Sequence, residues 1–264
     1  MLFDGHIHTC HSHDSESEMR AMCQAAMSAG LAGIAITDHC DMQWELDAET
    51  PILASVAEAG TMAEEYRGRL RVFRGVEIGE GLWAPQRAAR LMNMTTYDVV
   101  IGSVHAVHYE GFTVPFSWIN FKQLSDRQIA RYLQTYFDDT LALVQQGGFD
   151  VLGHLTCALR YITGKYGRTV DMTQYADTID AILHMLIAQS IALEINTSSP
   201  SFLPDETILQ RYYELGGRRI TLGSDAHVPE DVGRRLDSAA ALLRGLGFQQ
   251  AYYYDRRRAI AYDL

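Results

Sequence analysis

The chain has 264 residues, 47% of them hydrophobic and 21% charged, with only 6 prolines; that is ample material for a packed core and excludes extended disorder. A formal net charge of −11 at pH 7 would repel a polyanion, so a nucleic-acid role lacks its electrostatic footprint and any anionic substrate must be attracted locally. Cys10, Cys23, Cys40 and Cys157 form no CxxC pair, as expected of free thiols in a reducing compartment, and the absence of a basic-apolar leader or a membrane-length apolar run leads to the expectation of a cytoplasmic protein with no membrane partner.

Short β-rich runs alternate with longer helical stretches, the pattern of a parallel sheet wrapped by helices. A strand is predicted over Leu2–Gly5, then a helix over Glu16–Ala29, where Met19, Met22, Cys23 and Ala26 recur at helical spacing and Gly30 ends the run. Strands follow at Gly33–Thr37, Arg71–Glu77, Asp98–Ser103, Phe149–Gly153, Ile191–Ile195 and Arg219–Ser224. Each is a compact apolar run, as strands buried on both faces should be. Helices are predicted over Pro51–Tyr66, Asp126–Gln146, Met172–Gln189, Asp205–Leu215 and Glu230–Arg244. No repeat or Pro/Ser-rich linker marks a boundary, so residues 1–264 are expected to form a single domain. Tyr252–Tyr254 reads as a short edge strand, Arg256–Arg258 as a solvated basic turn, and His184 as helix packing.

Metal-capable side chains gather at the carboxyl ends of these strands. The first strand runs into His6 and His8, the second into Asp38 and His39, and the third into Glu77; later strands run into His105, His154, and Asp225 with His227. That edge is where active sites lie in barrels and open α/β sheets. Because a strand alternates its side chains, His6 and His8 face the same way and Ile7 faces the other. Mixed imidazoles and carboxylates suit zinc, manganese or iron. The ligands exceed what one four-coordinate site takes, which points to a cluster of two or three ions sharing a bridging carboxylate, Glu77. His13, in the loop HSHDSESE, is placed to reach back to the cluster, whereas His11 and His108 read as loop residues and Cys10 and Cys40 as small loop residues.

These residues sit in DGHIHT, HSHD, AITDHCD, GVEI, DVVIGSVH, FDVLGH, LEINTS and LGSDAHVPEDVG, in that order. With them the chain resembles the PHP (polymerase and histidinol phosphatase) superfamily, and more narrowly its histidinol-phosphate phosphatases, whose ending GFQQAYYYDRRRAIAYDL also resembles. The resemblance implies a distorted (β/α)7, TIM-like barrel with a trinuclear centre. It suggests His6, His8, Glu77 and Asp225 on one ion, Glu77, His105 and His154 on a second, and His13, His39 and His227 on a third. It also matches Arg160, in GHLTCALR, to an arginine of the family that would grip a phosphate with two bonds. One departure stands out: the family continues from Asn-Thr-Ser into Gly-Leu-Arg, whereas this chain reads NTSSPSFLP.

The expected activity is therefore hydrolysis of a phosphomonoester, with L-histidinol phosphate as the leading substrate and a small nucleotide, sugar phosphate or phosphotyrosyl peptide as the alternative. A hydroxide shared by two ions would attack phosphorus in line. Asp38 is expected to orient a neighbouring imidazole or to protonate the leaving alkoxide, Ser103 to touch the phosphate, and the aromatic segment Tyr109–Phe121 to wall the pocket. An amidohydrolase, which often bridges its metals with a lysine after the fourth strand, fits less well because that strand ends in SVH. A non-catalytic metal-binding module is the remaining alternative.

Overall fold

The computed structural model describes residues 1–43, 49–109 and 112–264. In chain order they form β1 (Phe3–Ile7), α1 (Met19–Ser28), β2 (Gly33–Ile36), β3 (His39–Asp41), α2 (Glu49–Glu65), β4 (Arg71–Gly79), α3 (Pro85–Met94) and β5 (Val99–Ser103). A hairpin of β6 (Ala106–Tyr109) and β7 (Phe112–Pro115) follows, then α4 (Asp126–Gln146), β8 (Val151–Leu152), α5 (Ala176–Gln189), β9 (Ala192–Asn196), α6 (Glu206–Glu214), β10 (Ile220–Gly223) and α7 (Leu236–Gly245). The chain ends in a second hairpin, β11 (Gln250–Asp255) and β12 (Arg258–Asp263).

The parallel sheet runs in the order β1-β2-β4-β5-β8-β9-β10, with β3 also on β4. Its two ends meet through a parallel bridge between Ile7 and Ala226, where Asp225 N donates to His6 O and His8 N to Ala226 O, both at 2.9 Å. The result is the expected α/β barrel, near-closed and distorted. All of the strands predicted for it form, displaced by a residue or two. The sequence reading passed over β3, which is the continuation of β2: Ile36 lies opposite Arg74 and His39 opposite Glu77, so pairing with β4 resumes without a change of register. It also passed over α3, whose charged and polar run buries only Ala88 and Leu91.

Elsewhere local chemistry explains the helices. Ser125 and Gln128 form a reciprocal capping box at the start of α4. The helix then buries Ile129, Leu133, Tyr136, Phe137, Leu143 and Val144 along one stripe. The predicted helix Met172–Gln189 starts as a 3-10 turn, and Glu230–Arg244 breaks into a 3-10 turn at Pro229–Asp231 and an α-helix from Leu236. His184 faces solvent, not the helix packing expected of it.

Alternation along each strand divides the barrel interior by depth. Phe3, Ala35, Phe73, Val99, Ile101, Val151 and Ala192 pack together with Tyr254 of β11 as an apolar plug at the N-terminal end. The Phe3 ring stacks on Tyr253 at 4.2 Å. The expected short strand forms as β11 and, with β12, caps the bottom of the barrel; its basic turn is not simply solvated. Arg256 N donates to Asp98 Oδ1, Arg257 N to Asp98 O, and the Arg257 guanidinium pairs with Asp150.

β1 carries a bulge. Asp4 lies opposite Ile34 but Ile7 opposite Ile36, so three steps along β1 match two along β2. Strict alternation from Phe3 would turn Ile7 inward; the extra residue turns Ile7 out to the helix-facing core and His6 and His8 into the barrel.

Candidate metal centre

Glu77 is the hub. It points inward from β4, fully buried, and Ser103 of β5 donates to its Oε1 at 2.6 Å. Around the same oxygen stand His154 Nε2 at 2.9 Å and His105 Nε2 at 3.2 Å. Around Oε2 stand His39 Nδ1 at 2.9 Å, His6 Nε2 at 3.2 Å and His8 Nε2 at 3.5 Å. Asp225 Oδ1 adds a second carboxylate, 3.2 Å from His8 Nε2 and 3.9 Å from His6 Nε2. Glycines make room for this crowding: a Cβ at Gly223 would sit 2.1 Å from Glu194 Oε1 and 2.7 Å from His6 Cβ.

Four of the imidazoles are held from behind. His6 Nδ1 is 2.8 Å from Glu194 Oε1, and His105 Nδ1 is 3.1 Å from Asp41 Oδ1. His227 Nδ1 donates to Asp225 O at 2.9 Å. His8 Nδ1 lies 3.1 Å from Ser12 Oγ, which itself donates to Asp38 Oδ1 at 2.8 Å. With Nδ1–H engaged in this way, every one of these rings offers Nε2 as a lone pair. Glu194 does a second job, since its Oε2 accepts from His154 N at 2.8 Å and from Asn196 Nδ2 at 3.1 Å. It thereby ties the ligand-bearing ends of β1 and β8 to β9.

The fit to a cation rests on buried atoms that face one another without a hydrogen bond. His6 Nε2, His8 Nε2, His39 Nδ1 and Glu77 Oε2 are buried and make no hydrogen bond, a cost of roughly 1–3 kcal/mol for each such group unless something satisfies it. They converge: one ligand atom each from His6, His8 and Glu77, or from His39, Glu77 and His105, lies within 4.8 Å of the others. Charges show the same demand. Burial opposes ionisation of Glu77, yet His6, His105 and His39 hold its carboxyl well below the usual range. Burial would likewise push His6 down, but Glu194 and Glu77 raise it well above its ordinary value. His8, hemmed in by burial and by His227 and His39, falls to about 3. A divalent cation would replace the imidazole protons as the counter-charge to Glu77, so metal binding here must release protons.

Other candidates fall as follows. Arg160, in a π-helical turn from Arg160 to Lys165, donates to Asp225 Oδ2 at 2.6 Å and to Ser198 Oγ. Among the described residues it is the one arginine lining the cleft of about 340 Å³ over the cluster. Asp38 accepts from Thr9 N at 2.6 Å, Thr9 Oγ1 and Ser12 Oγ at 2.8 Å, and Ser55 Oγ at 2.5 Å. It is buried behind His8, which fits an orienting role and gives no path for protonating a leaving group. Ser103, expected on the phosphate, is fully buried and turned to Glu77. His13 is exposed at the cleft mouth, its ring 5.2 Å from that of His39. His11 pairs with Glu58 at 2.8 Å and His108 stacks on Trp83 at 4.0 Å, both outside the cluster.

The aromatic segment does form a wall: Pro115, Phe116, Ser117 and Trp118 line the cleft, with Trp118 69% exposed, while Glu110 and Gly111 lie outside the described residues. The sequence reading missed Asp14, Asp41, Glu80 and Glu194. Glu194 had a signal, a charge on the inward face of an otherwise apolar strand; the other three lie beyond any periodic pattern.

A sequence model of the PHP domain matches residues 4–198. The chain belongs to the PHP domain family. Asp225 and His227 lie beyond that matched stretch, but full-length relatives extend the likeness over them. A probable histidinol-phosphatase of Clostridium acetobutylicum is 27% identical over 264 residues, covering 97% of this chain and 98% of its own. A histidinol-phosphatase of Lactococcus lactis is 27% identical over 260 residues, covering 94% and 92%. Among solved structures, histidinol phosphate phosphatase from Lactococcus lactis, crystallised with zinc, L-histidinol and phosphate, superposes on this PHP domain with a TM-score of 0.79 at 24% identity, over 98% of each chain.

Proposed function

We propose that this PHP-domain protein is a metal-dependent phosphomonoesterase that hydrolyses L-histidinol phosphate to L-histidinol and phosphate, a step of histidine biosynthesis. The observation that carries the reading is the convergence of buried His6, His8, His39 and Glu77 atoms that make no hydrogen bond, below a cleft in which Arg160 is the single arginine among the described residues. Full-length relatedness to histidinol-phosphatases supplies the substrate. The reading takes residues 1–264 as one unit and places it in the cytoplasm, acting on a small molecule.

Two or three divalent ions, zinc, manganese or iron, would be held by His6, His8, Glu77 and Asp225, by Glu77, His105 and His154, and by His39 and His227. When bound, such ions lower the pKa of water toward neutrality and polarise phosphoryl oxygens. The chain's own residues do the rest. Glu194, Asp41 and the Asp38–Ser12 pair fix the imidazole tautomers, and Ser103 fixes Glu77. Arg160, turned from Asp225 toward substrate, would grip two equatorial phosphate oxygens and offset their growing charge. Phe116 and Trp118 give the organic part an apolar wall and exclude water from one side.

One observation favours a broader reading. The stretch NTSSPSFLP brings Ser198 to Arg160 and adds no second arginine to the cleft, so the phosphate is gripped less tightly and another small monoester is the rival substrate. Turnover should vanish on chelation and return with zinc or manganese. With metal restored, kcat/KM for L-histidinol phosphate should exceed that for nucleotides, sugar phosphates and phosphotyrosine by about 100-fold. Equal values across that panel would favour the rival; no turnover of any monoester by the metal-loaded chain would sink both.

A further inference from the structure

The loop after β9 presents a hydroxyl that holds the arginine of the cleft. Asn196 and Leu203 exchange backbone hydrogen bonds, both at 3.0 Å, and so close residues 197–202 into a loop. Thr197 N donates to Gly223 O at 2.9 Å and Thr197 Oγ1 to Arg234 O at 2.6 Å, which fastens the loop beside the turn at Asp225. There Ser198 Oγ accepts from Arg160 Nη2. The direction of that bond is fixed from behind. Asn196 is fully buried, and its Nδ2 donates to Glu194 Oε2 at 3.1 Å. Its Oδ1 therefore faces Ser198, accepting from Ser198 N at 3.1 Å and from the Ser198 hydroxyl. With its one hydrogen spent on Asn196, Ser198 Oγ can only accept from Arg160. Glu194 carries the chain of bonds on to His6 Nδ1 and His154 N, both at 2.8 Å.

We infer that Ser198 is the positioning residue of Arg160, the pivot on which its guanidinium turns to a phosphate. The inference rests on the phosphatase reading proposed above, with Arg160 as its phosphate residue. Nη2 carries two hydrogens and has two partners, Ser198 Oγ and, at 2.6 Å, Asp225 Oδ2. Turning to substrate takes the guanidinium off Asp225 and leaves Ser198 in place. Arg160 Nε is buried and makes no hydrogen bond, so the side chain has a further donor to give. Through Asn196 and Glu194 the pivot is tied to His6 and His154, which sets the arginine at a fixed separation from the rings below. A phosphate then meets the guanidinium without first having to order a long, flexible side chain.

The test is the affinity of the zinc-loaded chain for inorganic phosphate, measured by titration calorimetry beside kcat/KM for L-histidinol phosphate. Wild type is compared with Ser198→Ala, Ser198→Thr, Arg160→Ala and the Ser198→Ala/Arg160→Ala double variant, with zinc analysis and circular dichroism confirming that metal and fold are kept. Ser198→Ala should weaken phosphate binding by about 10-fold, the effect of losing a hydrogen bond to a charged group. Ser198→Thr keeps the hydroxyl and should restore it. In the Arg160→Ala background the same Ser198→Ala change should alter phosphate affinity by less than about twofold, because its effect passes through the arginine. A Ser198→Ala chain that binds phosphate like wild type, or that loses an equal factor with and without Arg160, would overturn the inference and leave the phosphatase reading standing. Unchanged phosphate affinity in Arg160→Ala would remove Arg160 from the phosphate, and this inference with it. A zinc-loaded wild-type chain that neither binds phosphate nor turns over any monoester would bring down the phosphatase reading and the inference together.

Discussion

At the N-terminal end of the barrel the strands turn Phe3, Phe73, Val99, Val151 and Ala192 inward against Tyr254; at the other end the inward positions of the same strands are His6, Glu77, Ser103, Glu194 and the turn at His154. On β4 the change takes four residues, from Phe73 to Glu77 on one face. The lower layer satisfies itself: its side chains are apolar and need only each other. The upper layer does not, since it buries imidazoles and carboxylates whose facing atoms lack hydrogen-bond partners. It also holds Asp225 in left-handed backbone at φ 55° and His154 at φ 22°, conformations that cost on the order of 1–3 kcal/mol and cluster where function demands them. Stability thus comes from one end and chemistry from the other, and variants should separate them.

The largest effect is expected at the hub. Glu77→Gln keeps the shape and removes the shared charge, so zinc content should collapse and kcat/KM should fall by about a thousandfold or more, read by metal analysis and phosphate release. Next comes the opposite end. Phe73→Ala should cost about 3–5 kcal/mol of stability by opening a cavity in the plug, measured by urea unfolding, yet leave the zinc bound per folded chain unchanged. If both variants lost metal and stability alike, the two ends would be one cooperative unit and the contrast would fail.

Smaller effects sharpen the boundary. Glu194→Gln leaves an acceptor near His6 Nδ1 but removes the charge that fixes its tautomer, and zinc affinity should weaken by about 10–100-fold with little change in melting temperature. A last effect appears only as pH rises and concerns Glu80, which is buried beside Asp41; burial first, then the Asp41 charge, raise its pKa from 4.5 to about 8. A carboxyl raised on folding binds its proton more tightly in the native state, so it drains stability as pH climbs from about 4.5 to about 8. Glu80→Gln cannot ionise, so the metal-free variant should melt like wild type below that window and above it by a growing margin at its top. Melting curves at pH 4.5 and pH 8 with the same offset would remove burial as the cause.

Much of the rim was legible because a ligand at a strand end leaves two marks, an apolar run and a polar residue directly after it. His105 after Val99–Ser103 and His154 after Val151–Leu152 carry both. The bulge in β1 carries none, since its extra residue shows in the register between β1 and β2 and not in composition. Asp14 and His13 are adjacent in an irregular loop, where no period says which side chain turns inward; Ser15 and Ser17, whose hydroxyls donate to His227 O, turn Asp14 toward the His227 ring. In the bottom cap, Tyr252–Tyr254 is legible as a strand because tyrosine favours extended backbone, whereas its partner β12 is visible only once the turn at Arg256 and Arg257, at φ 49° and 62°, folds it back.

The most direct measurement is anomalous X-ray scattering at the zinc or manganese edge from crystals of the chain loaded with that metal. The account predicts two or three peaks at ligand distance, roughly 2.0–2.3 Å, from the imidazoles and carboxylates around Glu77, with Glu77 touching more than one. Peaks confined to surface sites, with the nitrogens of His6, His8 and His154 still unliganded, would contradict it.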